Sequence, residues 1–370
     1  MEIKPAESLR RRRRKVQRLD RRLIRLLTER LALTNRIGQT KLALGRPIMD
    51  QAAETAVMER ALRTGCAQGL PGDLVRSLFQ TIIAGSRFEQ QKIYDAARAR
   101  KPERILIVGG AGEMGKWFAA FLRRRGHRVA IYDLKERGPR SRACRTLEDG
   151  LRKTDLVLIS VPLDRVAVIL GRLAELRFPG IVCDIASIKG HIAGALGSAR
   201  RRGLKVTSIH PLFGPGTRDL DRKTVCLCPC GSRRADQRIR DLFRGPEIRL
   251  VSLSLEEHDR LISYVLGLSH VVNLIFGAVL VRSRRSFRRF DRVASTTFRR
   301  QVGTAQSVLD EDPRLYYAIQ RLNPDRARLY SDLEKTARRV TRIVASGRES
   351  EFIRLMESGR IWLSAGRPRR

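Results

Sequence analysis

The chain has 370 residues, of which 42% are hydrophobic, so it is long enough to form two or three domains that each bury a core. Lys and Arg number 76 against 38 Asp and Glu, which gives a formal net charge of +38. Such a charge attracts polyanions, yet the basic residues are spread along the whole chain and aromatic residues make up only 5%. The composition therefore excludes a disordered basic tail and disfavours a specific nucleic-acid-binding protein.

Two stretches bear on location. The N-terminal sequence MEIKPAESLR lacks the apolar core of a secretory signal, and the six cysteines do not suggest a disulfide framework, so we expect a cytoplasmic protein. Residues 261–281 carry no Asp, Glu, Lys or Arg and are long enough to cross a bilayer. His270 and Asn273 lie in the middle of this stretch, and serines and glycines dilute it. We therefore expect a buried helix of a helical domain and no membrane span.

The arginine block at residues 9–22 continues into a long amphipathic pattern. Arg30 and Lys41 are eleven positions apart, so on a helix they lie within about 20° of one another. Two cations on one face need an anion. The apolar residues, at spacings of three, four and seven, that predict the helix are Val16, Leu19, Leu23, Leu26, Leu27, Leu31, Ile37 and Leu44.

Two further pairs of polar residues, Asp50 with Glu54 and Ser86 with Gln90, are four positions apart, which stacks each pair on one helix face. Any one of these residues alone would be assigned to a solvated surface. Together with the arginine block, they resemble the all-helical chorismate mutase domain of bifunctional enzymes of tyrosine and phenylalanine synthesis. The resemblance covers residues 9–92.

This resemblance implies an intertwined dimer in which the long first helices pair and Arg13 reaches into the partner's site. Arg13 and Arg30 would hold the carboxylates of chorismate bidentately. The rearrangement to prephenate is pericyclic, so it needs positioning and charge stabilisation rather than a nucleophile. The other site residues that the resemblance implies are Lys41 and Gln90 on the ether oxygen, Asp50 and Glu54 on the ring hydroxyl, and Ser86 beside the substrate.

Two positions depart from the mutase pattern. Gln17 stands where the family usually has an acidic residue, and Ala53 stands where it usually has an arginine. These departures leave an alternative open: the helices could serve only to dimerise a monofunctional prephenate, arogenate or other NAD-dependent dehydrogenase.

After a predicted linker at residues 93–103, strand and helix patterns alternate. The apolar strand at residues 105–108 leads directly into GGAGEMG, in which Gly110, Gly112 and Gly115 form a G-x-G-x-x-G motif. In this motif the first glycine permits a tight turn, the second lets the backbone approach a pyrophosphate, and the third lets the helix pack on the strand. The pattern predicts a dinucleotide-binding domain with a parallel sheet, in which Gly109 and Met114 also lie at the cofactor.

A second strand, RVAIYD, ends in Asp133, at the spacing where an acidic residue hydrogen-bonds the adenosine ribose. A carboxylate there repels a 2′-phosphate, so NAD is favoured over NADP. Lys135 and Arg137 follow closely and leave NADP as the alternative.

Three more predicted strands end in polar side chains, namely Ser160, Lys189 and His210. Ligands bind beyond the carboxyl ends of parallel strands, so we expect these three residues to converge beside the nicotinamide. A histidine at a strand end can also be structural. The strands are predicted at residues 155–162, 180–189 and 205–215.

The segments IVGGAGEMG, LISVP, DIASIK and IHPLFGP together resemble prephenate dehydrogenase, and the resemblance continues to the C-terminus. It implies oxidative decarboxylation of prephenate to 4-hydroxyphenylpyruvate with NAD. His210 would take the proton of the C4 hydroxyl while hydride leaves C4, because an imidazole suits a base near neutral pH. Ser160 would contact the same hydroxyl and the cofactor, and Lys189 would bind substrate.

Beyond residues 250–254 the strand pattern stops, and the rest resembles the helical dimerisation domain of the same family. Arg299 aligns with the arginine that binds a substrate carboxylate, with its neighbour Arg300 as the alternative register. His270 is expected near the substrate side chain, with a core histidine as an equal alternative. The predicted partners are chorismate, prephenate and a second copy of the chain.

The sequence therefore predicts three domains: a helical mutase domain at residues 1–92, a Rossmann-type NAD-binding domain at 104–253, and a helical dimerisation domain at 254–370.

One cluster, CLCPC, raises the question of a metal. Its two-residue steps do not match the C-x-x-C spacing of structural zinc sites, so we interpret Cys226, Cys228 and Cys230 as small strand residues and predict no metal.

Overall fold

The computed structural model describes residues 5–97, 102–135, 144–217, 220, 223–243 and 248–365. By its internal contacts the chain divides into two compact units. The first unit comprises residues 1–161, 165–186 and 196–252, and the second comprises residues 162–164, 187–195 and 253–370.

The N-terminal part of the first unit is all-helical. Its helices are α1 (Pro5–Ala43), α2 (Gln51–Ala67) and α3 (Gly72–Ala97), and both α1 and α2 pack on α3. The contacts are close: a Cβ atom at Gly38 of α1 would lie 2.7 Å from Cγ of Gln90, and one at Gly65 of α2 would lie 2.6 Å from a methyl carbon of Val75. The arginine block lies within α1 and is therefore helical, as its spacing predicts.

Much of the apolar stripe of α1 faces solvent in the single chain. Val16 is 56% exposed, Leu19 58% and Ile24 64%. A stripe of this kind on a helix of 39 residues is typical of a surface that a partner covers.

The rest of the first unit is a seven-stranded sheet flanked by helices. The strand order is β2-β1-β3-β4-β5-β6-β7, and all described neighbours are parallel except β5 and β6. The strands are β1 (Arg104–Val108), β2 (Arg128–Tyr132), β3 (Leu156–Ile159), β4 (Ile181–Asp184), β5 (Lys205–Pro211), β6 (Lys223–Cys228) and β7 (Ile248–Ser252). The associated helices are α4 (Glu113–Arg124), α5 (Leu147–Leu151), α6 (Val166–Glu175), α7 (Gly190–Arg201) and α8 (Arg233–Leu242).

The core of the sheet domain lies where α4 and α8 pack on one face of the sheet. Trp117 and Phe121 of α4 stack with ring centroids 5.1 Å apart, and Phe121 stacks on Phe243 at 5.5 Å. The strands beneath carry buried residues at consecutive positions, as expected for a parallel sheet covered on both faces.

Three predicted strands are shorter than expected, and β4 shows why. The carboxylate of Asp184 accepts a hydrogen bond from the backbone N–H of Ala186 at 2.9 Å, and a turn of this kind ends a strand. The apolar pattern predicts that Lys189 lies at the end of a strand. This prediction is wrong, because β4 ends at Asp184. Lys189 directly precedes α7.

Within the second unit, the described residues from 255 to 365 are mostly helical. The helices are α9 (Leu255–Ile262), a π-helical turn at Ser263–Leu268, α10 (Ser269–Arg282), α11 (Phe287–Arg292), α12 (Thr296–Leu309), α13 (Pro313–Leu322), α14 (Arg326–Ala345) and α15 (Glu349–Ala365).

The stretch Leu255–Arg282 is long and apolar enough to span a membrane by length and composition alone, with a mean hydropathy of 2.0. Only 17% of its apolar window is buried. The expectation of a buried helix is therefore wrong for the single chain. His270 and Asn273 of α10 face inward, whereas Ile275, Val279 and Val281 are exposed.

Two helical glycines provide a test of the packing of α4. A Cβ atom at Gly115 would lie 2.4 Å from the carbonyl oxygen of Gly109, whereas one at Gly171 of α6 meets nothing within 4 Å. We expect Gly115→Ala to lower the free energy of unfolding by about 1–3 kcal/mol, because backbone has to move. Gly171→Ala should raise it by about 0.5–1 kcal/mol, since alanine favours a helix. Thermal unfolding followed by circular dichroism measures both; equal melting temperatures would refute the close approach at Gly115.

Candidate active sites

The turn between β1 and α4 needs glycines, because residues of the neighbouring strands leave no room for a Cβ atom. Gly109 has φ of +84°, and a Cβ atom there would lie 2.2 Å from the carbonyl oxygen of Ser160. A Cβ atom at Gly110 would lie 2.5 Å from a methyl carbon of Ile131. The motif assigns the tight turn to Gly110, but the left-handed residue is Gly109. Gly110 is instead fixed by its contact with β2.

Gly112, at the N-terminal cap of α4, has more room, because its nearest contact for a Cβ atom is 3.4 Å away. It is exposed, so the first backbone N–H groups of α4 are open to a ligand. Such N–H groups bind phosphate, since a helix N-terminus carries partial positive charge. Met114 lies in the first turn of α4 and packs against the core of the sheet domain.

Asp133 follows β2 and braces this turn. Its Oδ2 accepts a hydrogen bond from the backbone N–H of Ala111 at 2.9 Å, and its Oδ1 accepts one from the N–H of Lys135 at 2.9 Å. The carboxylate thus lies beside the glycine turn, where an adenosine ribose would share it. Arg137 lies outside the described residues.

Ser160 and His210 lie at the carboxyl edge of the same sheet. The backbone N–H of Ser160 donates to the carbonyl of Val108 at 2.8 Å, which places this serine against the glycine turn. His210 is buried in β5, two strands away in the sheet, and pairs in register with Cys226 of β6.

In the second unit, Lys189 is fully buried, and its backbone N–H donates to both carboxylate oxygens of Asp259, at 2.8 and 3.1 Å. His270 is buried beneath Tyr316, with ring centroids 4.1 Å apart, and burial lowers the pKa of His270 to about 4. This imidazole is therefore neutral near pH 7.

Arg299, the expected carboxylate anchor, is on the surface of the second unit. Its side chain is 60% exposed and forms an ion pair of 2.9 Å with Asp291. One of its guanidinium nitrogens also donates to the backbone carbonyl of Asp291. The pairing with Asp291 has no signal in the sequence, because the two residues lie on different helices, α11 and α12.

The predicted mutase residues form a polar cluster between α1 and α3. Arg30 donates to Oγ of Ser86 at 2.7 Å, and Gln90 donates to the carbonyl of Thr34 at 2.9 Å. Lys41, at the end of α1, donates to the carbonyl of Ile48 at 2.8 Å. A ligand at these residues would compete with weak protein acceptors, not with carboxylates.

The acidic pair of the mutase site differs from its expected arrangement. Asp50 is the N-cap of α2, where its carboxylate accepts a hydrogen bond from the N–H of Ala53 at 3.0 Å. Glu54 lies in the first turn and pairs with Arg87 at 3.2 Å. Arg87 is not among the predicted site residues, yet it lies beside Ser86 and supplies a cation although the usual arginine position is Ala53.

Arg13 is exposed on α1, along the part of the helix whose apolar stripe is also exposed. Cys226 and Cys228 are buried in β6, whereas Cys230 lies beyond the strand and donates to the carbonyl of Cys228. Within the described ranges, no group of three or more His, Cys, Asp or Glu is arranged to hold a metal ion.

These features define a class of protein: a helical domain with a cluster of cationic and polar side chains, followed on the chain by a dinucleotide-binding domain with a parallel sheet. Three family models match successive parts of the chain. They are chorismate mutase type II at residues 12–91, the prephenate dehydrogenase nucleotide-binding domain at 118–246, and the prephenate dehydrogenase dimerization domain at 254–358. The chain therefore belongs, domain by domain, to the chorismate mutase type II and prephenate dehydrogenase families.

Individual relatives match one or both of these parts of the chain. The chain is 26% identical to the T-protein of Enterobacter agglomerans over 301 residues, which cover 81% of this chain and 78% of that protein. It is 37% identical over 79 residues to the bifunctional chorismate mutase/prephenate dehydratase of the same organism, covering 21% of this chain and 20% of that protein. The crystal structure of A. aeolicus prephenate dehydrogenase with hydroxyphenyl propionate and NAD⁺ shares the fold: TM-score 0.57, 18% identity, 72% of this chain and 99% of that one.

The position of Asp133 predicts the choice of cofactor. We expect the parent protein to use NAD with a higher kcat/KM than NADP, because the carboxylate repels a 2′-phosphate. Asp133→Ser should reduce the NAD:NADP ratio of kcat/KM by about tenfold or more, which corresponds to ~1.4 kcal/mol. Glu113→Ser is the matched control, since it removes an exposed carboxylate from the first turn of α4. A parent that prefers NADP, or an equal effect of both changes, would contradict the assignment.

Proposed function

We propose that this protein is a bifunctional enzyme of tyrosine biosynthesis. Its α1–α3 domain rearranges chorismate to prephenate, and its sheet and C-terminal helices convert prephenate to 4-hydroxyphenylpyruvate with NAD. The observation that carries the proposal is that the mutase and dehydrogenase family models match one chain, which aligns with a T-protein over 81% of its length. In the alternative, in which the helices serve only dimerisation, the Arg30–Ser86 and Gln90–Thr34 hydrogen bonds would only hold α1 against α3.

In the mutase domain, the proposed chemistry is electrostatic. Chorismate carries two carboxylates, and Arg30 with Arg13 of a second copy would bind them bidentately. Lys41 and Gln90 donate hydrogen bonds, so they can stabilise the ether oxygen as its bond to carbon breaks. Arg87 holds Glu54 in a fixed position for the ring hydroxyl. Ser86 orients Arg30, and Asp50 fixes the start of α2.

In the dehydrogenase, the glycine turn, Met114 and Asp133 would hold NAD, which supplies the hydride acceptor. His210 would accept a hydrogen bond from the C4 hydroxyl of prephenate and take its proton as the C4–H bond breaks. Ser160 would donate to or accept from the same hydroxyl. Loss of carbon dioxide then makes the ring aromatic, so the step is effectively irreversible.

Lys189, His270 and Arg299 would bind prephenate through the second unit. His270 is neutral near pH 7 because burial lowers its pKa to about 4, so it can form a hydrogen bond but cannot pair with a carboxylate. The guanidinium of Arg299 would bind a carboxylate in place of Asp291.

We also propose that the enzyme is a cytoplasmic homodimer. The exposed apolar stripe of α1 and the exposed face of α10 are both large enough to need cover, and α10 falls within the dimerization domain. Pairing with a second copy would bury the apolar stretch Leu255–Arg282 without a membrane.

Assays from either end of the two-step sequence test the bifunctional proposal. With chorismate and NAD, the parent protein should form 4-hydroxyphenylpyruvate and NADH. His210→Asn should consume chorismate at the parental rate but accumulate prephenate, because dehydrogenase turnover falls by roughly 10²–10⁴-fold. Arg30→Ala should leave chorismate unconsumed and still oxidise added prephenate. Each variant controls for the folding of the other; a parent that oxidises prephenate but ignores chorismate would establish the monofunctional alternative.

Mixing variants tests whether Arg13 serves the partner's site. Arg13→Ala and Arg30→Ala homodimers should both lack mutase activity. When the two are unfolded and refolded together, some mixed dimers contain one site with both arginines intact. Chorismate consumption should therefore return to a fraction of the parental rate. Arg14→Ala, a neighbouring exposed arginine, is the control that should stay active alone; no recovery in the mixture would place each site within one chain.

A further inference from the structure

A buried ionisable pair on α9 has no role in the chemistry above. His258 and Asp259 are 0% and 2% exposed, and Nδ1 of His258 lies 2.8 Å from Oδ1 of Asp259. A buried carboxylate is costly unless several donors satisfy it. The arrangement of donors around Asp259 therefore shows what the pair does.

The other donors come from the turn before α7. The backbone N–H of Lys189 donates to Oδ1 at 2.8 Å and to Oδ2 at 3.1 Å, and the N–H of Gly190 donates to Oδ2 at 2.6 Å. Burial alone would raise the pKa of Asp259, but the hydrogen bonds from His258, Gly190 and Lys189 outweigh it and lower that pKa. The carboxylate is therefore charged, and its charge faces the positive end of α7.

Gly190 allows this close approach. A Cβ atom there would lie 3.1 Å from Oδ2 of Asp259, which is tighter than ordinary packing. A second contact fixes the same turn, because Nε2 of His191 lies 2.9 Å from the carbonyl oxygen of Leu163. The backbone at the fully buried Lys189 is thus held by the contacts with Asp259 and, two residues on, by the contact of His191 with Leu163.

We propose that Asp259, oriented by His258, is a positioning residue for the dehydrogenase: it holds the Lys189–Gly190 backbone so that Lys189 binds substrate in a fixed place. The inference rests on the proposed function, because it assumes that Lys189 binds prephenate for its oxidation. Asp259 and His258 do not contact substrate in this role. They act through Lys189, and a displacement of about 1 Å in such a group can cost about 10²-fold in rate.

A double-mutant cycle separates positioning from general stability. Asp259→Asn and Lys189→Met should each lower kcat/KM for prephenate by about 10²-fold, while chorismate mutase activity stays at the parental value. If Asp259 acts through Lys189, the double variant should be no worse than Lys189→Met alone. Two independent effects would multiply to about 10⁴-fold, and that result would overturn the proposal.

Two further variants keep the test decisive if Asp259→Asn does not fold. His258→Asn keeps a donor near the position of Nδ1 and should lose less activity than His258→Leu; equal losses would count against the pair. Thr207→Val is the matched control, because it removes a buried side-chain hydrogen bond to the carboxylate of Asp236. This change should lower the melting temperature without a comparable fall in kcat/KM.

The outcomes also separate this inference from the proposed function. A parent protein that does not oxidise prephenate with NAD would refute the proposed function itself. An active parent in which Lys189→Met is silent would leave that function standing and refute the positioning role. An active parent in which Lys189→Met is impaired but Asp259→Asn is not would refute the role of Asp259 alone.

Discussion

The dehydrogenase half depends on the close approach of backbone segments at the turn after β1. The carbonyl of Ser160, the side chain of Ile131 and the carbonyl of Gly109 occupy the places that Cβ atoms at Gly109, Gly110 and Gly115 would take. The ends of β1, β2 and β3 and the start of α4 are therefore drawn together. As a result, the open N–H groups of α4, the carboxylate of Asp133 and the peptide of Ser160 lie at one edge of the sheet. The same constraint thus shapes both the fold and the proposed cofactor site.

Features that depend on local chain geometry could be predicted from the sequence. The spacing of leucines predicts α1, and the glycine pattern followed by Asp133 predicts the β1–α4–β2 unit, because each pattern reports a helix face or a turn. The predicted position of Lys189, at the end of a strand, is wrong. Its position depends on how Asp184 ends β4, and an apolar run does not reveal that hydrogen bond.

Features that depend on pairings between different secondary-structure elements had no such signal. The role of Asp259 requires contact with a residue 70 positions earlier, and the ion pair of Arg299 with Asp291 joins two helices. The prediction that α10 is buried was wrong for a related reason. Composition shows that a helix is apolar, but it does not show whether its own chain or a second copy covers it. A family resemblance supplies that information only as far as the aligned residues reach.

The two halves meet the same electrostatic problem in different ways. The predicted mutase residues Arg30 and Lys41 donate to neutral acceptors, a hydroxyl and a carbonyl, so under the proposed function chorismate would gain hydrogen bonds from both cations without displacing an ion pair. In the C-terminal helices, burial leaves His270 uncharged near pH 7, and the charged group Arg299 is already paired with Asp291. That pair is exposed, and exposed pairs contribute only about 0–1 kcal/mol. Under the proposed function, a substrate carboxylate can therefore replace Asp291 at little cost, while the neutral His270 adds no competing charge, so recognition of the anion by this pair would fall to Arg299.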